Sequence, residues 1–583
     1  MKPLDLPDPV SDEARPRDAF LHAAIARATH GISPIAVGMA YLDWLAHLAA
    51  SPGRQRELVE KAQRKWTRLA LYLASGASPR LPAIEPLPQD HRFDSPEWQR
   101  WPYNLLHQSF LLTQQWWWNA MTGVRGVSRH HENVVAFVTR QLLDVWSPSN
   151  FLLTNPVVLA ETRRTYGVNL VRGMQNLLED ALRRAGNRPP AGTEAYEVGR
   201  NVAATPGKVV YRNALMELIQ YEPRTPQAYP VPVLVVPSWI MKYYVLDLSP
   251  ENSMVRYLLE QGHTVFMISW KNPDAEDRDL SLESYLRLGV LAALSAVEKI
   301  IPGQPVHGVG YCLGGTMLAI AAAYLARSAE RRLATVTLLA SELDYTEPGE
   351  LGLFIDESQI AFLEDVMWSC GYLDGKAMAG AFTLLNTRDL VWSRIVYDYL
   401  MGQRAPMSDL MAWNADATRM PFRMHSEYLR KFYLDNELAA GRYEVDGRPV
   451  ALADIRVPMF AVATERDHVS PWRSVFKVHL LADTDITFVL ASGGHNVGIV
   501  SPPRPGDGGR ASYRWARHAA DDPYVDPDCW LEESPTRRGS WWPAWAGWLA
   551  ERSGSPGALS AMGAPAQGLR PLYDAPGRYV YAQ

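Results

Sequence analysis

Apolar residues recur at helical spacing over residues 20–50, and again over 57–74, 101–122, 131–145 and 157–185. Side chains three and four positions apart share one face of a helix, so each run predicts an amphipathic helix. The stretch 75–93 holds several prolines and few apolar pairs and reads as a loop. Alternating strand patterns are missing before about residue 200. The first third of the chain, residues 1–200, therefore reads as an all-helical domain. Residues 1–20 are polar and rich in proline and acid, and are expected to be disordered or loosely held.

The pattern changes after Pro206. Short β-branched runs at 231–236, 264–270, 305–310, 335–340, 459–463 and 486–490 predict strands, with helical patterns such as 282–301 and 316–326 between them. Strand–helix alternation predicts a parallel sheet covered by helices on both faces. The alternation breaks between 340 and 459, where the pattern is mostly helical and rich in Trp, Met and acid. That predicts a cap inserted at about 341–455 into an α/β domain spanning 201–583. Residues 501–509 read as a Pro/Gly loop. A Trp-rich segment, 539–548, precedes a tail expected to be loose. There are no internal repeats.

Composition narrows the function. Apolar residues make up 47% and charged residues 21%, ordinary globular values, and a net charge of −5 gives no basis for nucleic-acid or acidic-membrane partners. No run approaches the ~20 apolar residues of a membrane span, and the polar start is not expected to be a secretory signal. The three cysteines, Cys312, Cys370 and Cys529, are far apart and form no CxxC, which argues against a disulfide framework or zinc site and fits a reducing cytoplasm. His130 and His131 are adjacent, so their side chains diverge, and they are not read as metal ligands. The 20 tryptophans are expected mainly to pack cores. The Trp116-Trp117-Trp118 triplet and Trp541, Trp542, Trp545 and Trp548 are alternatively surfaces for apolar material.

The most informative stretch is Gly310-Tyr311-Cys312-Leu313-Gly314, between a predicted strand and a predicted helix. G-x-C-x-G in that setting is the nucleophile elbow of an α/β-hydrolase fold, with Cys in the usual Ser position. The turn is tight and strained, and glycines avoid crowding on either side of the nucleophile. The helix N-terminus places partial positive charge behind the sulfur. The Leu313 N–H then faces a developing oxyanion. A dinucleotide-binding reading of these glycines fails, because Leu313 stands where the third glycine belongs.

In this fold the acid and base follow the nucleophile on loops after late strands. Asp467 lies in the loop after 459–463, and His495 in the loop after 486–490, flanked by glycines. His495 is read as the base that activates Cys312, and Asp467 as the acid that orients it. A second oxyanion donor is expected after the first of the predicted strands, with Ile240 preferred over Trp239 or Met241. His468 is an alternative base and Asp344 an alternative acid; Glu465 reads as a solvated loop residue.

With these residues in place, the chain resembles the polyhydroxyalkanoate synthases, the granule-forming polyester polymerases. The resemblance runs through Pro148–Phe151, Val198–Tyr211, Ile240–Tyr244, Pro250–Ser253, Gly310–Thr316, Asp409–Asp416 and Ser492–Gly498. It implies an α/β-hydrolase fold with a largely helical cap, preceded by an all-helical N-terminal domain linked to granule association and dimer stability. The implied substrate is an (R)-3-hydroxyacyl-CoA, with four-carbon acyl groups favoured. Coenzyme A is released and no cofactor is implied. Cys312, His495 and Asp467 take the roles of nucleophile, base and third member, and in the family the Asp is also discussed as helping to activate the substrate hydroxyl. The implied partners are the growing polyester and its granule surface, phasin-type granule proteins and a second copy of the chain. The chain length resembles the single-subunit classes, and the implied location is cytoplasmic, at granules. Ser470 before Pro471 departs from the alanine expected there. The rival readings are a Cys-dependent hydrolase of dienelactone-hydrolase type and a non-catalytic granule-binding protein.

Overall fold

A computed structural model describes residues 15–29, 31–78, 80–375, 391–503 and 511–583. They divide into two compact units. One comprises the first helix to residue 27, residues 192–375, and everything described from 408 onward; the other comprises 28–191 and 391–407.

The first unit is built on an eleven-stranded sheet. In chain order its strands are β1 (Gly207–Arg212), β2 (Met216–Tyr221), β3 (Val233–Val236), β4 (Val265–Trp270), β5 (Val306–Tyr311), β6 (Leu333–Leu339), β7 (Met459–Thr464), β8 (Ile486–Ala491), β9 (Ser512–His518), β10 (Thr536–Arg538) and β11 (Tyr573–Asp574). Their spatial order is β10-β9-β8-β7-β6-β5-β3-β4-β2-β1-β11. The six predicted strands form the contiguous parallel centre, β8 through β4. The expectation of a parallel sheet needs correction at both ends, where β2, β1 and β11 on one side and β9 and β10 on the other are antiparallel.

The physical reason lies in burial. The central strands are covered on both faces and read as predominantly apolar runs. Leu234, Val236, Phe266 and Ile268 enter one core, while Val233, Val235, Val265 and Met267 enter the other. Outer strands carry charges such as Lys208, Arg212, Arg514 and Arg517, which mask the alternation. Chain order reverses between β3 and β5. In open α/β sheets, sites form beyond the carboxyl ends of the strands at such a switch point.

Two expectations about loose segments are corrected. Residues 15–20 belong to the helix Arg15–Thr29, anchored by His22 Nδ1 against Asp365 Oδ2 at 2.7 Å; residues 1–14 lie outside the described residues. The run 20–50 is two helices, because Gly31 adopts φ 84° and Pro34 starts the helix Pro34–Ala49. The C-terminal tail is not loose. The fully buried Glu217 of β2 accepts from the backbone N–H of Arg578 at 2.8 Å and Tyr579 at 3.0 Å, and from the Tyr573 hydroxyl. Buried Lys242 donates to the Val580 and Ala582 carbonyls. Two buried charges thus find their partners in the tail.

The second unit is helical, and its longest helices among the described residues are Pro52–Ala74, Tyr103–Met121, Val168–Ala185, Arg129–Val145 and Pro34–Ala49. Residues 391–407, within the predicted insertion, pack on Val168–Ala185. Asn169 donates to the Leu400 carbonyl at 2.8 Å and Asn176 to that of Asp398 at 2.9 Å. Asp180 takes Tyr399, Arg404 and Arg394 at 2.8, 2.9 and 3.1 Å. Residues 376–390 of the expected cap, and 504–510 of the Pro/Gly loop, lie outside the described residues. The rest of the insertion in the first unit is largely helical, as in Glu357–Cys370 and Phe422–Tyr428.

Candidate active site

Cys312 stands between β5 and the helix Leu313–Arg327 with φ 52° and ψ −125°, a left-handed conformation unusual for a side-chain-bearing residue. The surrounding glycines explain how the chain sustains it. A Cβ on Gly310 would lie 2.2 Å from the Gly315 Cα, and one on Gly314 would lie 2.1 Å from the Val236 carbonyl oxygen. Neither gap admits an atom. The elbow therefore depends on glycine to pack its helix against β5 and against the end of β3. The Cys312 N–H donates to the Leu339 carbonyl at 2.9 Å, and the side chain is half-buried.

The loop after β7 supplies Asp467, whose side chain is fully buried. Its Oδ1 accepts from the N–H groups of Val469 at 2.9 Å and Ser470 at 2.8 Å. Its Oδ2 takes the Thr464 hydroxyl at 3.2 Å and His495 Nδ1 at 2.8 Å. Burial by itself would raise the carboxyl; the facing His495 and the two N–H groups outweigh it and hold Asp467 below the ordinary carboxylate range. Ser470, the departure from the family pattern, takes part through its backbone and leaves this arrangement intact.

The loop after β8 supplies His495. Burial by itself would lower its pKa, but Asp467 and then Cys312, with hydrogen bonds to both, raise it well above the usual histidine value. The imidazole thus bridges acid and thiol. Gly493 turns this loop at φ 112°, and a Cβ on Gly498 would lie 2.5 Å from Thr464 Cγ2. Two residues that the sequence reading passed over hold the loop to the nucleophile strand: the Tyr311 hydroxyl, next to Cys312, donates to Asn496 Oδ1, next to His495. The Tyr311 and His495 rings stand 5.6 Å apart. Trp541 and Trp542, both buried, donate to the Gly498 and Ile499 carbonyls at 2.9 Å, so this end of the Trp-rich segment braces the same loop.

Leu313 opens the helix, where N–H groups have no intrahelical acceptor. Ile240 lies in the loop after β3, and its N–H donates to Ser238 Oγ at 3.2 Å. The close approach of Gly314 to Val236 and Pro237 sets these two segments side by side. The alternatives lie elsewhere in their contacts. His468 and Glu465 are exposed. Asp344 accepts from Thr346 N at 2.8 Å and pairs with Lys477 at 3.4 Å. His131 pairs with Asp43 at 2.6 Å. Among the described residues, no group of three His, Cys, Asp or Glu is placed to hold a metal ion. Trp116 is tied to the Leu58 carbonyl at 3.0 Å, and Trp117 and Trp118 line a cavity of about 530 Å³ within the helical unit.

Comparison with known proteins finds matches over most of the chain. Residues 12–54 match the family model described as poly-beta-hydroxybutyrate polymerase N terminal, 89–258 the one for the poly-beta-hydroxybutyrate polymerase (PhaC) N-terminus, and 231–502 the alpha/beta hydrolase fold. The chain is 40% identical over 509 residues to the poly(3-hydroxyalkanoate) polymerase of Methylorubrum extorquens, covering 86% of this chain and 82% of that one. It is 35% identical over 555 residues to poly(3-hydroxyalkanoate) polymerase subunit PhaC of Cupriavidus necator, covering 94% and 92%. The PhaC subunit of Rhizobium meliloti is 38% identical, covering 84% and 79%. An α/β-hydrolase fold joined to matches that span both N-terminal models and most of each relative has one reading: this chain is an acyltransferase of the poly(3-hydroxyalkanoate) polymerase family.

Proposed function

We propose that the chain polymerises (R)-3-hydroxyacyl-CoA, with four-carbon acyl groups preferred, through an acyl thioester on Cys312. The observation that carries this reading is the continuous chain Cys312–His495–Asp467 at the elbow, with His495 Nδ1 2.8 Å from Asp467. His495 takes the thiol proton, and the Cys312 sulfur attacks the thioester carbon of the substrate. The oxyanion forms against the Leu313 N–H, with Ile240 as second donor once it exchanges its weak contact to Ser238 Oγ. Coenzyme A leaves as the thiol, taking the proton from His495. The 3-hydroxyl of a further acyl group then loses its proton to His495 and attacks the Cys312 thioester. An ester bond forms, the carbon–sulfur bond breaks, and the thiol is restored. Thioester-to-thioester transfer is nearly isoenergetic, so a Cys keeps the acyl group activated where a Ser ester would not. The reaction takes no cofactor beyond the coenzyme A carried in on the substrate.

Both Asp467 oxygens are occupied, one by two backbone N–H groups and the other by His495 and Thr464. That supports orienting His495 as its role, over direct activation of the substrate hydroxyl. We assign the protein to the cytoplasmic surface of polyester granules, as a homodimer that meets phasin-type proteins there. Among the described residues no single helix is long and apolar enough to cross a membrane.

The test follows thiol release and product together from 3-hydroxybutyryl-CoA, with a ten-carbon substrate alongside. Polymer is the expected product, and free acid alone refutes the polymerase in favour of a hydrolase. Cys312→Ala is expected to lower coenzyme A release by several orders of magnitude; full release by that variant refutes the nucleophile.

A further inference from the structure

Glu342 has no place in the chemistry just described. It follows β6 by three residues, at the carboxyl end of the sheet beside the elbow. The Thr316 hydroxyl, from the first turn of the elbow helix, donates to its main-chain carbonyl at 2.8 Å and so fixes its backbone. The residue is only 4% exposed. Its Oε1 is buried without a hydrogen-bond partner among the described residues. A buried polar atom without a partner is uncommon in a folded protein and asks for one. Its surroundings are the reacting groups: burial first, then the charges of Asp467 and Cys312, push the carboxyl well above its ordinary range, against a smaller opposing influence from His495. Tyr345, buried and with its hydroxyl 3.4 Å from Thr316 Oγ1, and Tyr433 both lie within the reach of its charge and of Cys312. The side chain is therefore a buried acid biased toward its uncharged form, close to Cys312.

A neutral carboxylic acid offers one O–H donor and one carbonyl-type acceptor. A secondary hydroxyl offers the same pair in return. A plain alkyl chain offers neither, and would leave the acid buried and unsatisfied. A site built this way discriminates by penalising the substrate that lacks the group. We propose that Glu342 is a specificity residue that contacts the substrate, its carboxylic acid hydrogen-bonding the hydroxyl of the acyl group held on Cys312. This rests on the acyl-transfer reading above.

The experiment measures second-order rate constants for single-turnover coenzyme A release by the full chain from (R)-3-hydroxybutyryl-CoA and from butyryl-CoA. Wild type, Glu342→Gln and Glu342→Met are compared. Gln keeps an uncharged donor and acceptor at nearly the same place; Met fills the volume without either. The wild-type preference for the hydroxylated substrate is expected to fall about 10- to 100-fold in Glu342→Met, the span of one lost hydrogen bond. It is expected to stay within about threefold in Glu342→Gln, whose amide is stranded by butyryl-CoA as the acid is, whereas Glu342→Met strands no polar group and is expected to release coenzyme A from butyryl-CoA faster than wild type. Butyryl-CoA rates no lower than wild type also establish that the variants are folded with a working Cys312. An unchanged preference in Glu342→Met overturns the proposal. So does a loss in Glu342→Gln equal to that in Glu342→Met, or a parallel fall with both substrates. If wild type releases coenzyme A from neither substrate, the acyl-transfer reading itself fails, and that outcome is distinct from the others.

Discussion

At the residue scale, the site is a balance between burial and charge. Asp467 and His495 are both desolvated, and each is held in its charged form by the other. Asp467 is the largest influence that raises His495, so Asp467→Asn lets His495 lose its proton at lower pH. The acidic limb of the pH profile for coenzyme A release is then expected to move to lower pH, with a rate loss of about 10⁴-fold, the size seen when a Ser-His-Asp triad is deprived of its acid. A profile that keeps its position would separate Asp467 from His495 function. Stability follows the same signs. The depressed Asp467 contributes above its unfolded value of 3.8, and the contribution is lost as pH falls through its folded value. The raised His495 contributes below 6.5, and loses that contribution as pH rises through its folded value. The three candidate residues were legible because each stands in the turn or loop after a strand, in a chain order that the fold uses. Tyr311 and Asn496 were not, because a hydroxyl-to-amide contact between a strand end and a distant loop leaves no periodic trace.

At the element scale, the elbow is a problem of space. Gly310→Ala would place a methyl group 2.2 Å from a backbone carbon, where nothing can yield. This substitution is expected to cost about 3 kcal/mol of stability and to lower activity with it. Gly38 is the contrast. It lies exposed within the helix Pro34–Ala49, with nothing within 4 Å of where its Cβ would be. Gly38→Ala is expected to stabilise by about 0.5–1 kcal/mol, the ordinary helix preference. Urea midpoints of the two variants, moving in opposite directions, check both. The six parallel strands were legible because burial on both faces makes them continuous β-branched runs. β1, β2, β9, β10 and β11 were not, because these antiparallel outer strands mix charged residues into short segments.

At the scale of the whole molecule, the tail is tied to distant parts of the chain. Residues 573–583 satisfy Glu217 on β2 and Lys242 after β3, both buried. Deleting them leaves Glu217 with the more distant Arg212 at 3.8 Å, whereas Lys242 keeps Asp416 at 3.1 Å. A buried charge stripped of its partners is strongly destabilising, so the truncated chain is expected to lose about 3–5 kcal/mol. Adding Glu217→Gln to the truncation is expected to recover part of that loss, because it removes the stranded charge. Equal urea midpoints for the full and truncated chains would show that the tail contributes nothing. Composition suggested the opposite of what the fold contains: the tail is rich in Gly and Pro, and its anchoring comes from side chains more than 300 positions away in the chain.

The sequence by itself determined the elements whose signal is local: the glycines of the elbow, the apolar runs of the central sheet, the helical first third, and the order Cys312, Asp467, His495. The first three depend on residues within a few positions of one another, through a period or a spacing, and the last on short motifs that each follow a predicted strand. Only the tertiary structure decided what depends on distance through space. It brought His495 to within 2.8 Å of Asp467 and into contact with Cys312, closed the tail over Glu217 and Lys242, and buried Glu342 near Cys312. The physical reason is that desolvation and pairing belong to the packed surroundings of a group, which residues far apart in the chain supply.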